Sequence, residues 1–344
     1  MILALKLFFR KFNNLYYKVL LSAIFLIFLL TFITYEREIL TSYSGEIMGT
    51  TYKVIAKSQE RINLEKDIFK VLDAVNQEMS TYSNNSTISK INRSDLNKWV
   101  KVSKDFGNLA ILSQKICIDT FGSFNISVGH LVNYYGFGPK KDFLDIDYEE
   151  EKDKFITEIK CNSYEVDLAN LKIRRLNEVY LDMSGIAKGF AIDKLSEFLE
   201  SKSIESFLIE LGGEIRTKGF KRKNETWKVA IEDPTNKNLP LIILEASNYN
   251  NFSLATSGEY RNQRKINDIL LSHTIDPDTL KPIKKDHLSV SVISNNATEA
   301  DALATALNVM GEIKGLEFAN RNKLKVIYIN KEDESVSYKT SKFF

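Results

Sequence analysis

The sequence predicts an α+β fold, with mixed, mainly antiparallel sheets and helices packed against them. Apolar residues recur at helical spacing in some stretches and at strand spacing in others. The two kinds are mixed without the strand–helix–strand rhythm that a parallel sheet requires. No internal repeat and no low-complexity linker interrupts the chain, so residues from Gly45 onward read as one globular unit. At 344 residues the chain can bury a sizeable core.

The N-terminus stands apart. An uncharged run from Val19 to Thr34 comes after Lys6, Arg10, Lys11 and Lys18. Positive residues before an apolar run keep the N-terminus in the cytoplasm and send the downstream chain across the membrane. The run is slightly short for a full span, and Leu15, Tyr16 and Tyr17 extend it into the interface. Thr34-Tyr35-Glu36-Arg37 lacks the small residues of a signal-peptidase site, which favours an uncleaved signal anchor over a cleaved signal peptide. The expected organisation is therefore a cytoplasmic tail over residues 1–18, a transmembrane anchor over 19–34 and a connector over 35–44. An outward-facing domain occupies 45–344.

Gly45 to Ile55 opens that domain as β structure with a glycine turn. Leu64 to Met79 reads as an amphipathic helix with Ile68, Leu72, Val75 and Met79 on one stripe. Asp105 to Thr120 repeats the pattern with Leu109, Leu112 and Ile116. Lys140 to Arg175 is heavily charged and ambiguous, its Glu149-Glu150-Glu151 run most simply a solvated face. A helix starts near Ile186 and buries Ile192, Leu195 and Leu199. Strand-like runs come next at Phe207–Leu211, Trp227–Ile231, Leu241–Leu244 and Leu288–Ile293. An Ala- and Leu-rich helix then spans the Asn295 to Gly311 region, and a last strand-like run covers Leu324–Ile329.

Charged residues make up 27 % of the chain but the formal net charge is only +2, and no basic run lies beyond the N-terminus. A nucleic-acid footprint is therefore excluded. The 2 cysteines, Cys117 and Cys161, make neither a disulfide framework nor a metal cage. They can bridge in an oxidising compartment, but plain structural thiols are the simpler reading. Imidazole chemistry has 3 candidates, His130, His273 and His287.

Asp301 and Thr305 project from one face of the Ala-rich helix, one turn apart. A carboxylate and a hydroxyl so placed suit a hard, oxygen-loving cation such as Mg2+. An Ala-rich core helix with Thr305 bonded to a backbone carbonyl accounts for the same two residues. Asp182 and Ser184 sit at a strand-to-helix junction, where Ser184 or Gly185 can cap the next helix. Lys188 falls in that helix's first turn, where a cation gains nothing from the dipole, and so hints at a nearby phosphate or carboxylate. Paired glycines in Leu211-Gly212-Gly213-Glu214 mark a bulge or a close approach of ligand or backbone. His273 precedes a turn fixed by Pro277, with Asp276 nearby, an arrangement open to general acid–base work or to a simple hydrogen bond.

Taken in order, these segments resemble the FAD:protein FMN transferase (ApbE) family. The matches are Met48-Gly49-Thr50-Thr51-Tyr52, Ser80-Thr81-Tyr82 with Ile88-Ser89-Lys90-Ile91-Asn92, Phe124 to Pro139, and Asp182 to Asp193. They continue through Gly212-Gly213-Glu214, Trp227 to Pro234, Ala255 to Tyr260, His273 to Pro282 and Thr298 to Gly311. The resemblance implies an ApbE-like fold and a Mg2+-dependent enzyme. FMN would pass from FAD to a threonine or serine hydroxyl of a partner protein as a phosphoester, with release of AMP. The acceptor carries a short Ser/Thr-Gly-Ala-Thr-like motif, typically on a membrane redox subunit. Asp301, Thr305 and the Gly185 carbonyl match the metal-binding positions. Met48, Tyr82, Ser123, Phe124, Asn125, Asp182, Lys188, His273, Thr274 and Ile275 match positions lining the FAD site, with His273 and Asp276 the expected catalytic pair. Asn125 stands where the family usually has Asp, and Leu280 replaces a glycine. The anchor and the resemblance together imply a single-pass protein of a bacterial inner membrane with its catalytic domain on the periplasmic side. The alternatives are a Mg2+-dependent FAD pyrophosphatase giving FMN and AMP, and a non-catalytic periplasmic FAD-binding protein.

Overall fold

Eight strands lie side by side in chain order in the computed structural model, each antiparallel to the next. They are β1 (Ile39–Ile47), β2 (Thr50–Ser58), β3 (Ser206–Leu211), β4 (Glu214–Lys218), β5 (Phe252–Gly258), β6 (His287–Ser294), β7 (Lys325–Glu332) and β8 (Ser335–Thr340). The structure describes residues 16–26, 38–139, 158–236, 239–248, 251–258, 263–266, 269–284, 287–332 and 335–344. Helices enter through the long connections: α1 (Glu65–Met79), α2 (Thr87–Asn92), α3 (Lys104–Asp119), α4 (Gly129–Tyr134) and α5 (Ala187–Ser201) between β2 and β3. Between β6 and β7 come α6 (Ala297–Met310) and α7 (Glu312–Arg321).

Side chains alternate across a strand, so the apolar residues sort onto two faces. Tyr52, Val54, Phe207, Ile209 and Leu211 join the core beneath α1 and α5, and Val290, Val292, Val326 and Tyr328 meet α6 and α7. Leu254, Ile293, Ile327 and Ile329 point the other way and are covered by Trp227 and the hairpin Lys228–Glu232/Pro240–Glu245. Burial on both faces explains why these strands read as nearly continuous apolar runs.

The helix that carries Asp301 is anchored from outside itself. Asn296 caps α6 by accepting from the Glu299 N–H at 2.8 Å. The Asp193 carboxylate, reaching over from α5, accepts from the Ala297 and Thr298 N–H groups at 3.0 and 2.8 Å and from the Thr298 hydroxyl at 2.6 Å. It also takes a 2.6 Å ion pair from Arg216 on β4. One carboxylate thus satisfies amides that a helix start leaves open, beside a mostly buried guanidinium. Asp193→Ala is expected to lower stability by about 2–3 kcal/mol, read as a fall in the urea midpoint at constant m-value. An unchanged midpoint would remove Asp193 from this role.

At the crossing of α5 and α6 only glycine fits. A Cβ on Gly189 would lie 2.2 Å from the Ala297 carbonyl oxygen and 2.8 Å from the Asp301 Cβ. The two backbones therefore touch directly beside Asp301.

Several expectations are corrected. Residues 39–44, expected within the connector, form the first half of β1, paired with β2 from Ile39↔Ser58 to Ile47↔Thr50. Their serine, threonine and tyrosine content hides a strand whose outer face is exposed. Within the charged region, Tyr164–Asp167 and Lys172–Arg175 form a hairpin joined by Val100–Lys101, while 140–157 lie outside the described residues. Cys117 and Cys161 are not separate thiols but a disulfide, with Cα atoms 5.6 Å apart. Gln114 on α3 donates to the carbonyls of Cys161 and Tyr164 at 3.1 and 3.3 Å, which brings the second cysteine to the end of α3. At the N-terminus residues 16–26 are helical and exposed, and the rest of the expected span lies outside the described residues. Among the described residues no helix is long and apolar enough to cross a membrane.

Candidate active site

Two tight hairpin turns lie together at one end of the sheet. Met48 and Gly49 join β1 to β2 with φ of 52 and 73°, and Gly212 and Gly213 join β3 to β4 with φ of 64 and 106°. Positive φ at both central residues matches the twist of two-residue hairpins, and glycine adopts it without strain. A Cβ on Gly212 would come within 3.0 Å of Thr50 and 3.3 Å of the Lys188 stem. The paired glycines are thus a turn against the lysine, not a bulge within a strand. Met48 is half-buried on the main core and leans over the same end.

Lys188 enters from the first turn of α5, whose cap residue, Ile186, offers no side-chain hydrogen bond. Neither Ser184 nor Gly185 occupies the cap. The Lys188 ammonium instead finds two carboxylates, Glu214 at 3.1 Å and Asp301 at 3.7 Å. Asp301 also accepts from the Gly189 N–H at 2.9 Å, so an amide of the helix start meets a carboxylate from α6. Thr305, one turn along α6, donates to the Gly185 carbonyl at 3.4 Å. The expected metal set of Asp301, Thr305 and Gly185 is thereby assembled in one place, with the Phe124 ring against Gly185.

Charge is concentrated there. Burial pushes the Glu214 carboxyl up to about 7, with Lys188 opposing and Asp301 adding to the rise. Burial alone would pull the Lys188 ammonium down, but Asp301 and Glu214 outweigh it and hold the group above its ordinary value. Because the folded Glu214 carboxyl sits above its ordinary 4.5, the cost of its charge is absent below that pH. The cost grows toward about pH 7 and is complete above it. Without metal, the native protein is therefore expected to lose stability relative to Glu214→Gln as pH rises from about 5 to about 8. Paired thermal melts measure this, and a Tm difference that ignores pH would contradict it.

A hard cation finds oxygen donors of the right kind: one carboxylate, one hydroxyl and one carbonyl. Among the described residues no three His, Cys, Asp or Glu side chains are grouped to hold a metal. That sparse set fits Mg2+, which keeps several waters and binds through one or two carboxylates plus substrate phosphates.

The remaining residues of the expected FAD site are tied to their neighbours by hydrogen bonds and ring contacts. Asp182 is buried and accepts from both the backbone N–H and the hydroxyl of Ser184. Burial pushes its carboxyl above the usual range. Tyr82, which is exposed, donates to the Phe137 carbonyl at 2.7 Å and senses the Asp182 charge. The Phe137 ring lies 6.4 Å from the His273 ring. Ser123 is half-buried, and Asn125 is buried with its side-chain oxygen accepting from the Ser127 N–H at 2.9 Å. Thr274 is tied to α6, its hydroxyl accepting from Asn308 at 3.2 Å, while Ile275 packs with Leu131 and Leu280.

Asp276 reads differently in three dimensions. Its carboxylate accepts from the N–H groups of Asp278 and Thr279 at 2.9 and 3.3 Å, the geometry of an Asx turn. Leu280, at the end of that turn, has φ of 60°, which explains physically why glycine would suit the position. Leu280 is nevertheless buried, so its packing offsets the strain.

Glu214, Asp193 and Asn308 build the site, yet the sequence alone assigns none of them an individual role. Each lies inside one of the family-like motifs, but their partners are distant in the chain. Asn308 lies one turn beyond Thr305 on α6 and links Thr274 to the buried His287, whose Nε2 lies 2.7 Å from the Asn308 side-chain oxygen.

Comparison with known proteins agrees with this architecture. The ApbE family model matches residues 48–328. The FAD:protein FMN transferase of Vibrio cholerae is 36% identical over 310 residues, covering 87% of this chain and 90% of that protein. The enzyme of the same name from Haemophilus influenzae is 33% identical, covering 88% of this chain and 90% of its own. Among solved structures, the flavin transferase ApbE from Vibrio cholerae aligns with a TM-score of 0.78 at 32% identity, covering 90% of this chain and 99% of that one. The Pseudomonas stutzeri flavinyl transferase ApbE, apo form, gives 0.79 at 26% identity over 89% of this chain and 96% of that chain. Fold and relatives together define an enzyme of the flavin transferase class. The chain belongs to the ApbE family.

Proposed function

We propose that this enzyme transfers the FMN half of FAD onto a threonine or serine hydroxyl of a partner redox protein, with Mg2+ bound. The acceptor oxygen attacks the phosphorus of the FMN phosphate, a new P–O phosphoester bond forms, and the pyrophosphate bond breaks to release AMP. The hydroxyl proton leaves to His273. The observation that carries the reading is the convergence of Asp301, Thr305 and the Gly185 carbonyl beside Lys188. Asp301, Thr305 and Gly185 hold the cation, which when bound neutralises pyrophosphate charge and stabilises the departing AMP. Lys188 balances the remaining negative charge. Met48, Tyr82, Ser123, Phe124, Asn125, Asp182, Thr274 and Ile275 line and orient the nucleotide. Positioning and electrostatics dominate phosphoryl transfer, so few titrating groups suffice.

The acceptor is a Ser/Thr-Gly-Ala-Thr-like segment of a membrane redox subunit. The domain meets it from the periplasmic face of the inner membrane, held by residues 19–34. The Cys117–Cys161 disulfide supports an oxidising compartment. Mass spectrometry of a redox subunit bearing that motif, co-expressed with the full chain, should show one added FMN. Free FMN and AMP without an acceptor adduct would favour hydrolysis, and tight FAD binding without turnover would favour a carrier. His273→Ala should slow transfer by about 10²–10³-fold. Asp276→Asn, which keeps the turn, should leave the rate close to native. Normal transfer by His273→Ala would remove the base assignment.

A further inference from the structure

Lys188 has two carboxylate partners where one would satisfy its charge, and only one of them belongs to the expected metal set. The ammonium sits nearer Glu214, at 3.1 Å, than Asp301, at 3.7 Å. Glu214 is 4% exposed, and its second oxygen, Oε2, is buried without a hydrogen-bond partner. An ammonium carries three donors, so that oxygen is an unused acceptor beside a group able to fill it. The stem of Lys188 runs past the Gly212 turn, where a Cβ would come within 3.3 Å of it, and its ammonium reaches both acids.

We infer that Glu214 is a positioning residue that gives Lys188 a second seat, so that Asp301 can be released to a divalent cation. Without the cation, Lys188 is shared between the two buried acids. When a cation takes Asp301, the ammonium is repelled and moves fully onto Glu214, where Oε2 accepts another of its N–H bonds. Remove the Glu214 charge, and Asp301 is the only acid left to Lys188. The lysine then competes with the metal for the same carboxylate.

This inference rests on the proposed metal reading, and Mn2+ binding to the full chain without FAD tests the two separately. Free Mn2+ is read by electron paramagnetic resonance for native protein, Glu214→Gln, Lys188→Met and the double variant. Glu214→Gln should weaken Mn2+ binding about tenfold, since a buried cation then sits on its ligand. In the Lys188→Met background the same change should have a much smaller effect. Equal weakening in both backgrounds would mean that Glu214 acts on the cation itself and would overturn the inference. So would no weakening at all. If native protein binds no Mn2+, Glu214 has no cation to release Asp301 to and the inference is overturned. The metal reading itself falls only if Asp301→Asn also keeps native transfer, since substrate phosphates complete such a site. Should Glu214→Gln fail to fold, Glu214→Asp keeps the charge but draws it back from Lys188. It should give an intermediate, lysine-dependent loss, and a loss independent of Lys188 overturns the inference equally.

Discussion

Asp301→Asn is expected to lower flavin transfer at least about 10³-fold while leaving the fold intact. The side chain is 4% exposed and serves two partners of different kinds. Its Oδ2 accepts from the Gly189 N–H, a bond an amide oxygen can also accept, and its Oδ1 faces the Lys188 ammonium. Asparagine keeps the shape and the amide contact but removes the charge that a hard cation requires. Lys188 retains Glu214, so no buried cation is stranded. Alanine is a poorer probe, because it also orphans the Gly189 amide and opens space where α5 and α6 touch. The measurement is steady-state transfer to an acceptor at saturating Mg2+, alongside a thermal melt. A variant that melts like native protein and transfers at more than a tenth of the native rate would place the cation elsewhere.

The second large effect is on stability. Removing the Cys117–Cys161 bridge, by reduction or by paired serine substitution, is expected to cost about 4 kcal/mol. The bridge closes a separation of 44 residues, and in the chain-entropy account a loop of that size gives this value. Urea midpoints with and without reductant check it, and coincident curves would show that the staple adds nothing. The effect should reach the site as well. The last turn of α3 leads through Thr120, whose hydroxyl accepts from the Phe124 N–H at 3.2 Å, into the segment carrying Phe124 and Asn125. A loosened α3 should therefore raise the KM for FAD more than it lowers kcat.

The local elements were legible because local patterns specify them. Ile68, Leu72, Val75 and Met79 share a helical stripe and are all buried in α1. The run from Leu288 to Ile293 lies within β6. Asp301 and Thr305 did prove to share the face of α6 that meets Gly185 and Lys188. The features that escaped depend on partners far away in the chain. Asp193 caps a helix more than a hundred residues later, Glu214 matters through Lys188, and Cys161 meets Cys117 across a sequence separation of 44. Asp276 is the opposite case: Oδ1 of its carboxylate accepts from adjacent backbone amides and builds a turn. A polar edge strand such as β1 carries too weak an alternation to announce itself.

Gly189 bears on the cation site proposed above. Gly185 lies just before α5 and Lys188 in its first turn, and Asp301 and Thr305 come from α6. Those helices meet at backbone distance between the two pairs. A spacing fixed by atoms already in contact cannot contract, and widening it means parting two packed helices. For the cation proposed above, such a site would work as a gauge of ionic radius. An ion as small as Mg2+ would then be favoured over one the size of Ca2+, which needs more ligands at longer distances.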